Sequence, residues 1–359
     1  MKVCVYAICK NEAQFVRRWM DSMGEADQIV VLDTGSTDDT VKLLRERGAQ
    51  VTREEIVPWR FDTARNRSLE LVPQDADICV CTDLDEVFHP GWRRALEAAW
   101  RPGTGQARYR YTWSFNPDGS EGVVFWYEKI HARRGYRWVH PVHEVLEWVG
   151  EGEPGPFIRV EGVQLDHHPD PSKSRAQYLE LLELSVREAP QDDRNLHYLG
   201  REYLFRGRWE ECICTLKAHL ALPSATWRDE RAASMRYLGC AYEQLGETGE
   251  AESWYLRAIA EAPHLREPWV DLAMLCYRRE DWEGVRWFTG RALAIEKRPE
   301  TYICQAQAWG SLPWDLRALA LYHTGELEQA LAAARKALEL EPGNPRLRDN
   351  VRLMEKLET

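Results

Sequence analysis

Apolar positions fall into two regimes along the chain, and the change comes near residue 170. Up to about Asp166, short apolar runs alternate with helical patterns. Lys2 to Cys9 predicts a buried strand and Glu12 to Met23 a helix. Gln28 to Leu32 predicts a second strand. Thr40 to Arg47 is a helix with a polar entry, ended by Gly48. Ala49 to Thr52, Phe61 to Leu71 and Ile78 to Thr82 then predict strand, helix and strand. This alternation is the pattern of a parallel sheet with helices on its faces. Ligands of such sheets collect at the carboxyl ends of the strands. Two acidic runs, Asp33 to Asp39 and Asp83 to Glu86, stand at that edge. Gln106 to Phe115 and Val123 to His131 are aromatic and β-branched, so antiparallel strands are expected beside the parallel ones, with a turn at Arg133 to Tyr136. Gly150 to Pro156 reads as a surface loop. Asp166-His167-His168-Pro169 breaks the strand pattern and starts a linker.

After Ser172 the spacing is helical throughout and repeats every 35 to 45 residues or so. Tyr198 to Tyr203, Tyr237 to Tyr242, Asp271 to Tyr277 and Leu316 to Tyr322 match one another. Each is followed by a short turn and a second helix, with Pro223, Pro263, Pro299 and Pro342 near the second helix ends. Helix, turn, helix and proline near this period are the tetratricopeptide pattern, which stacks into a solenoid with a concave face. The expected division is 1–165 for the α/β domain, 166–190 for a linker and first helix, and 191–359 for the repeats.

Composition adds constraints. With 359 residues and 44% apolar content, the chain can bury two cores, and disorder is excluded. A formal charge of -11 disfavours nucleic acid or an anionic membrane as a partner. Nine cysteines lack metal-knuckle or redox spacing and are expected as buried thiols in a reducing compartment. The first residues are too short an apolar run for a secretion signal, and nothing approaches the roughly 20 apolar residues of a membrane span. A cytoplasmic location is expected.

The chemistry lies in the first half. Read singly, Asp33-Thr34-Gly35-Ser36-Thr37-Asp38 is a capped turn and Asp83-Leu84-Asp85 a solvated one. Together, in this order on an α/β sheet, they offer carboxylates for a hard divalent cation that bridges phosphates. Ile8-Cys9-Lys10-Asn11-Glu12, Val31-Leu32-Asp33-Thr34-Gly35-Ser36, Phe61-Asp62-Thr63-Ala64-Arg65-Asn66 and Thr82-Asp83-Leu84-Asp85-Glu86 resemble family-2 glycosyltransferases of the GT-A fold. With the repeat tail, the order is similar to the branch that includes the bacteriocin S-glycosyltransferases.

The resemblance implies an α/β GT-A domain, Rossmann-like and built for nucleotide-diphospho-sugars, followed by an all-α repeat domain. It implies that the first strand and Asp33 cradle uracil and ribose, with Asn11 and Glu12 just beyond that strand. Asp62, Arg65 and Asn66 match the helix facing nucleotide and sugar. Asp83 is expected by the ribose or donor sugar, and Asp85 as a ligand of Mn²⁺ or Mg²⁺ on the diphosphate of a UDP-sugar. His167 or His168 is the candidate to complete the metal site. Lys173 and Arg175 are candidates for phosphate. Trp138-Val139-His140-Pro141-Val142-His143-Glu144 resembles the family's acceptor-side element, with Glu144 the candidate base and His143 either the base instead or a contact of the diphosphate. Trp113, Phe115, Trp126, Tyr127 and Trp138 are either sugar-stacking or core residues. Lys129, Arg133, Arg134 and Arg137 fit a solvated hairpin edge better than an acceptor site. The expected activity is transfer from a UDP-sugar, UDP-glucose first, to a peptide, protein or other large acceptor by inverting displacement. The repeats would hold that acceptor or pair two subunits. The alternatives are a scaffold whose repeats bind proteins beside a nucleotide-sensing domain, and a nucleotidyl- or phosphosugar-transferring enzyme. The latter lacks its glycine-rich basic loop here.

Overall fold

The computed structural model describes residues 1–116, 118–171 and 176–358, in two compact units, Met1–Ser185 and Val186–Thr359. The first unit runs β1 (Val3–Cys9), α1 (Ala13–Met23), β2 (Gln28–Asp33), α2 (Thr40–Glu46), β3 (Gln50–Arg53), α3 (Phe61–Glu70), β4 (Ile78–Cys81) and β5 (Glu86–Phe88). It continues with α4 (Trp92–Ala99), β6 (Gln106–Thr112), β7 (Val124–Ala132), β8 (Tyr136–Val139), β9 (Val145–Trp148) and β10 (Phe157–His167), and the boundary between the units falls within α5 (Tyr178–Glu188).

Eight strands form one mixed sheet in the order β3-β2-β1-β4-β7-β6-β10-β5, and β8 pairs with β9. The parallel part is β3-β2-β1-β4, and β7 enters antiparallel to β4. Every residue of β1 is buried because parallel neighbours flank it and both faces are covered. Val3, Val5 and Ala7 face the core formed with Phe15, Trp19 and Met23 of α1 and Trp92 and Leu96 of α4. Cys4 and Tyr6 face Leu69, Val72 and Trp138 on the other side. The two edges are blunted differently: β3 is short and polar, and β5 has three residues.

Two expectations are corrected. The Asp166-His167 segment does not break the strand: β10 runs on through His167, because Asp166 and His167 pair with Val87 and Glu86 of β5. Lys129 is not on a solvated hairpin edge. Its side chain is 4% exposed, beneath the end of β4.

On the inner face of the sheet, a chain of hydrogen bonds fixes a histidine. Ala132 O only accepts, so His131 Nδ1 donates to it at 2.8 Å, and Nε2 accepts from the Tyr6 hydroxyl at 2.7 Å. That hydroxyl in turn accepts from Trp138 Nε1 at 2.8 Å. The neutral ring is fully satisfied, and burial lowers the His131 pKa to about 4.

The second unit is helical: α6 (Asp193–Phe205), α7 (Trp209–Ala221), α8 (Arg228–Gln244), α9 (Thr248–Glu261), α10 (Glu267–Arg278), α11 (Trp282–Leu293), α12 (Ala306–Trp309), α13 (Leu312–His323), α14 (Leu327–Leu340) and α15 (Pro345–Glu358). Helix–turn–helix pairs begin at α6, α8, α10 and α13. Gly207, Gly246 and Gly325 take positive φ in the turns of three pairs, and Glu280 takes φ 57° in the other. The third pair departs from the expected pattern. Helix α11 stops at Leu293, well before Pro299, and residues 294–311 form an insertion carrying α12. Gln305 N and Trp309 Nε1 of this insertion donate to the buried Glu267 of α10, at 2.9 and 3.0 Å.

Gly200, Gly239, Ala273 and Ala318 occupy the same place in the four repeats, and all are buried. A Cβ at Gly239 would lie 2.5 Å from the Tyr255 ring of α9, and one at Gly200 would lie 2.3 Å from Leu216 of α7. Gly239→Ala therefore gains about 1 kcal/mol of helix propensity but loses about 1–3 kcal/mol to overpacking. Calorimetry of the full chain is expected to show a lower melting temperature. Gly249→Ala, whose Cβ meets nothing within 4 Å, is expected to leave it unchanged or raise it.

His131 yields a pH prediction. Its pKa lies near 4 folded and about 6.5 unfolded, so the folded state binds fewer protons between these values. Its contribution to stability is full above about 6.5, falls as the pH drops through this window by at most about 1.4 kcal/mol per unit, and levels off below about 4. Urea midpoints from pH 7 to 4 are expected to fall less steeply for His131→Gln than for the parent.

Candidate active site

The loops after β1 and β2 are stitched together at the sheet edge. Asp33 ends β2 opposite Cys9, is fully buried, and accepts from the backbone N–H groups of Gly35 and Ser36. Arg53 Nε donates to it at 3.1 Å. Gly35, at φ 113°, permits this tight return. Asn11 Oδ1 accepts from Thr37 N at 2.7 Å, and Asn11 N donates to Ser36 Oγ. Glu12 is buried, and its N–H donates to Thr40 Oγ1 at 2.7 Å. Asn11, Glu12 and Asp33 thus share one rigid corner.

A second cluster forms beyond β4. Arg65 of α3, with a 4% exposed side chain, donates through Nη2 to Asp83 Oδ1 at 2.8 Å, through Nε to Glu144 Oε1, and through Nη1 to Cys81 Sγ. Lys129 Nζ reaches Asp83 Oδ2 at 2.9 Å and Glu86 Oε1 at 3.4 Å. Tyr111 donates its hydroxyl to Glu86 at 2.8 Å. Burial would raise the Asp83 pKa, but Arg65 and Lys129 outweigh it and hold the carboxyl well below its usual range. Glu86 goes the other way: burial pushes its pKa up despite Lys129. One face of the cluster is therefore a fixed anion and its floor a more readily protonated acid.

Beside it stands a pair suited to a cation. His167 Nε2 is 3.4 Å from Asp85 Oδ2, and both side chains are largely buried. His167 Nδ1 donates to the Trp113 carbonyl at 3.0 Å, so Nε2 is the nitrogen left for a ligand. The Trp113 ring stacks on His167 with centroids 4.4 Å apart, and His168 N bonds the Asp85 carbonyl at 2.8 Å. Metal bonds of about 2.0–2.2 Å to imidazole and carboxylate place neighbouring ligand atoms about 3–3.5 Å apart, so the pair fits a divalent ion. Burial would lower the His167 pKa, but the Asp85 hydrogen bond and charge raise it above its ordinary value.

Other expected residues meet partners within the fold. Asp62 pairs with Arg60 and accepts from Thr63 N. Asn66 exchanges two hydrogen bonds with the Trp138 backbone, at 2.8 and 2.9 Å. His143, at φ 53°, sits against Tyr178 with ring centroids 6.0 Å apart. Lys173 and Arg175 lie outside the described residues. Of the aromatic candidates, Trp138 is core, whereas Trp113 and Phe115 are partly exposed and stack on His167 and His168. Sequence reasoning missed Lys129, Glu86 and Tyr111 as parts of the site. No period in the sequence could have found the lysine: β7 shifts register against β6 between Tyr127 and Ile130, so Phe125, Tyr127 and Ile130 line one face and strict alternation fails at Lys129.

Residues 4–144 match the family model "Glycosyl transferase family 2". Residues 238–264 and 311–344 match two models described as "Tetratricopeptide repeat". Residues 4–144 thus carry a family-2 glycosyltransferase domain, with tetratricopeptide repeats toward the C-terminus. Among solved structures the chain is similar to MamA, at 19% identity and TM-score 0.37 over 46% of this chain and 86% of that one. A thermophilic TPR protein of Thermus thermophilus, TTC0263, is 22% identical with TM-score 0.36, over 50% of this chain and 89% of that one. The Cut9–Hcn1 hetero-tetramer of the APC/C matches at 14% and TM-score 0.41 over 51% of this chain, and the match spans a third of the matched chain's length. Among the described residues, no helix is long and apolar enough to cross a membrane.

Lys129→Met removes a buried cation between two carboxylates. Breaking such a pair costs about 3–5 kcal/mol. Chemical denaturation at pH 7 is expected to show a loss of that size, shrinking as the pH falls and Glu86 takes up a proton.

Proposed function

We propose that the front unit transfers a sugar from a UDP-sugar, with UDP-glucose the first donor to test, to a peptide or protein acceptor. The displacement is single and inverting. The observation that carries this reading is the Asp85–His167 pair, oriented by Trp113 at the carboxyl edge of a family-2 domain. When bound there, a Mn²⁺ or Mg²⁺ ion offsets negative charge developing on the departing diphosphate. The corner of the exposed Asn11 and the buried Glu12 and Asp33 presents prealigned polar groups to uracil and ribose. Arg65 and Lys129 hold Asp83 ionised and immobile for a donor hydroxyl, so no reorganisation is needed as the bond breaks. Glu144, kept in place by Arg65, accepts the proton of the acceptor serine hydroxyl or cysteine thiol, with His143 as the second candidate. The partly exposed Trp113 face suits stacking on a sugar. Tetratricopeptide repeats support a protein or peptide as the acceptor.

Purified full chain with Mn²⁺ is expected to release UDP from one member of a UDP-sugar panel. Asp85→Ala is expected to reduce that release at least 100-fold, and EDTA to abolish it. Glu144→Gln is expected to lose transfer while UDP still raises the melting temperature. Unchanged turnover in Asp85→Ala, or in EDTA, would exclude the metal-dependent mechanism.

A further inference from the structure

The helical unit contains an imidazole whose surroundings make little sense for an apolar core. His219, in the last turn of α7, is fully buried, and neither of its ring nitrogens has a hydrogen-bond partner. A buried polar atom left without a partner is costly, and two on one ring need an explanation. Facing the ring are two carboxylates from different helices: Asp193 at the start of α6 and Glu230 in the first turn of α8. One ligand-capable atom from each of the three residues lies within 4.8 Å of the others. His219 Nε2 is 3.5 Å from Glu230 Oε1, within reach of an ion pair but too far and poorly aligned for a good hydrogen bond.

We infer that Asp193, His219 and Glu230 form a binding site for a divalent first-row transition ion, of which zinc is the natural probe. One nitrogen and two oxygens are a donor set that such ions accept. Movements of about an ångström bring the three atoms to the bond lengths of a single ion. The Glu230 carboxylate is already oriented. Tyr302 donates to Glu230 Oε2 at 2.5 Å, which leaves Oε1 toward the ring, and the dipoles of α6 and α8 favour negative charge in their first turns. His197 stands alongside, its ring centroid 5.7 Å from that of His219. Its Nδ1 is paired with Ser234 Oγ, and its buried Nε2 has no partner, so it is the candidate fourth ligand. Because the three ligands come from three successive helices, the ion would fasten the junction of the first and second repeats. Neither the family-2 chemistry nor the repeat pattern calls for such a site.

The test uses the full chain carrying Asp85→Ala, so that the cation pair of the front unit does not contribute. After stripping with chelator, the protein is dialysed against micromolar zinc and its metal content measured by mass spectrometry. The expected result is one zinc per chain. Glu230→Gln and Asp193→Asn should each weaken retention tenfold or more, and His219→Ala should abolish it. Zinc should also raise the melting temperature of the parent by several degrees but not those of the variants. Absence of stoichiometric zinc, or equal retention by Glu230→Gln and Asp193→Asn, overturns the inference. These two variants preserve side-chain shape and so decide the matter even if His219→Ala fails to fold.

Discussion

Two buried cations, Arg65 and Lys129, determine how the end of β4 is built. Each is stripped of water, which is tolerable only when carboxylates and hydrogen bonds replace it. Arg65 meets Asp83, Cys81 and Glu144, and Lys129 meets Asp83 and Glu86. These contacts draw on α3, β4, β5, β7 and the segment before β9, so elements distant in the sequence must agree on one geometry. A buried ion cluster of this kind adds less to net stability than its contacts suggest, because desolvation offsets most of the Coulombic gain. What it supplies is a unique arrangement: any slip of β4 against β7 leaves an unpaired charge inside the sheet.

The parallel half of the front unit was legible because its strands are continuous apolar runs and its helices carry a single apolar stripe, as in Phe15, Val16, Trp19 and Met23 of α1. The corner at Asn11 and Asp33 was legible because its residue types state their own turn chemistry. Between Glu86 and β6 this transparency lapses. Strand β5 has three residues and α4 eight, too short for a period to declare itself, and both are set by the stacking of Phe88 on Trp92. His167 looked like linker because Pro169 and Pro171 follow it, whereas pairing with Glu86 carries the strand through. Lys129 looked like surface because it keeps company with arginines in sequence. Burial of a lysine is a tertiary fact, decided by where Asp83 and Glu86 come to lie. Asn66 holds a contact that its motif does not announce: its amide exchanges two hydrogen bonds with the Trp138 backbone.

In the helical unit the repeat was legible from period and turn residues, and the insertion at 294–311 was not. Pro299 resembles the prolines that close the other repeats, but the helix before it has already ended at Leu293. The extra residues place Tyr302, Gln305 and Trp309 against Glu230, Arg236 and Glu267, adding hydrogen bonds to polar groups inside the stack. Polar residues inside the stack and the interruption of the stack are thus two halves of one arrangement.

The thiols carry a practical corollary. Seven of the nine cysteines are buried, one is half-buried, and Cys214 on α7 stands exposed. Burial pushes Cys81 and Cys276 up to about 11 and Cys4, Cys212 and Cys304 to about 12, so these hold almost no thiolate at neutral pH. A maleimide fluorophore added to the native chain would therefore settle first on α7, giving a site-directed optical reporter without any engineering of the sequence.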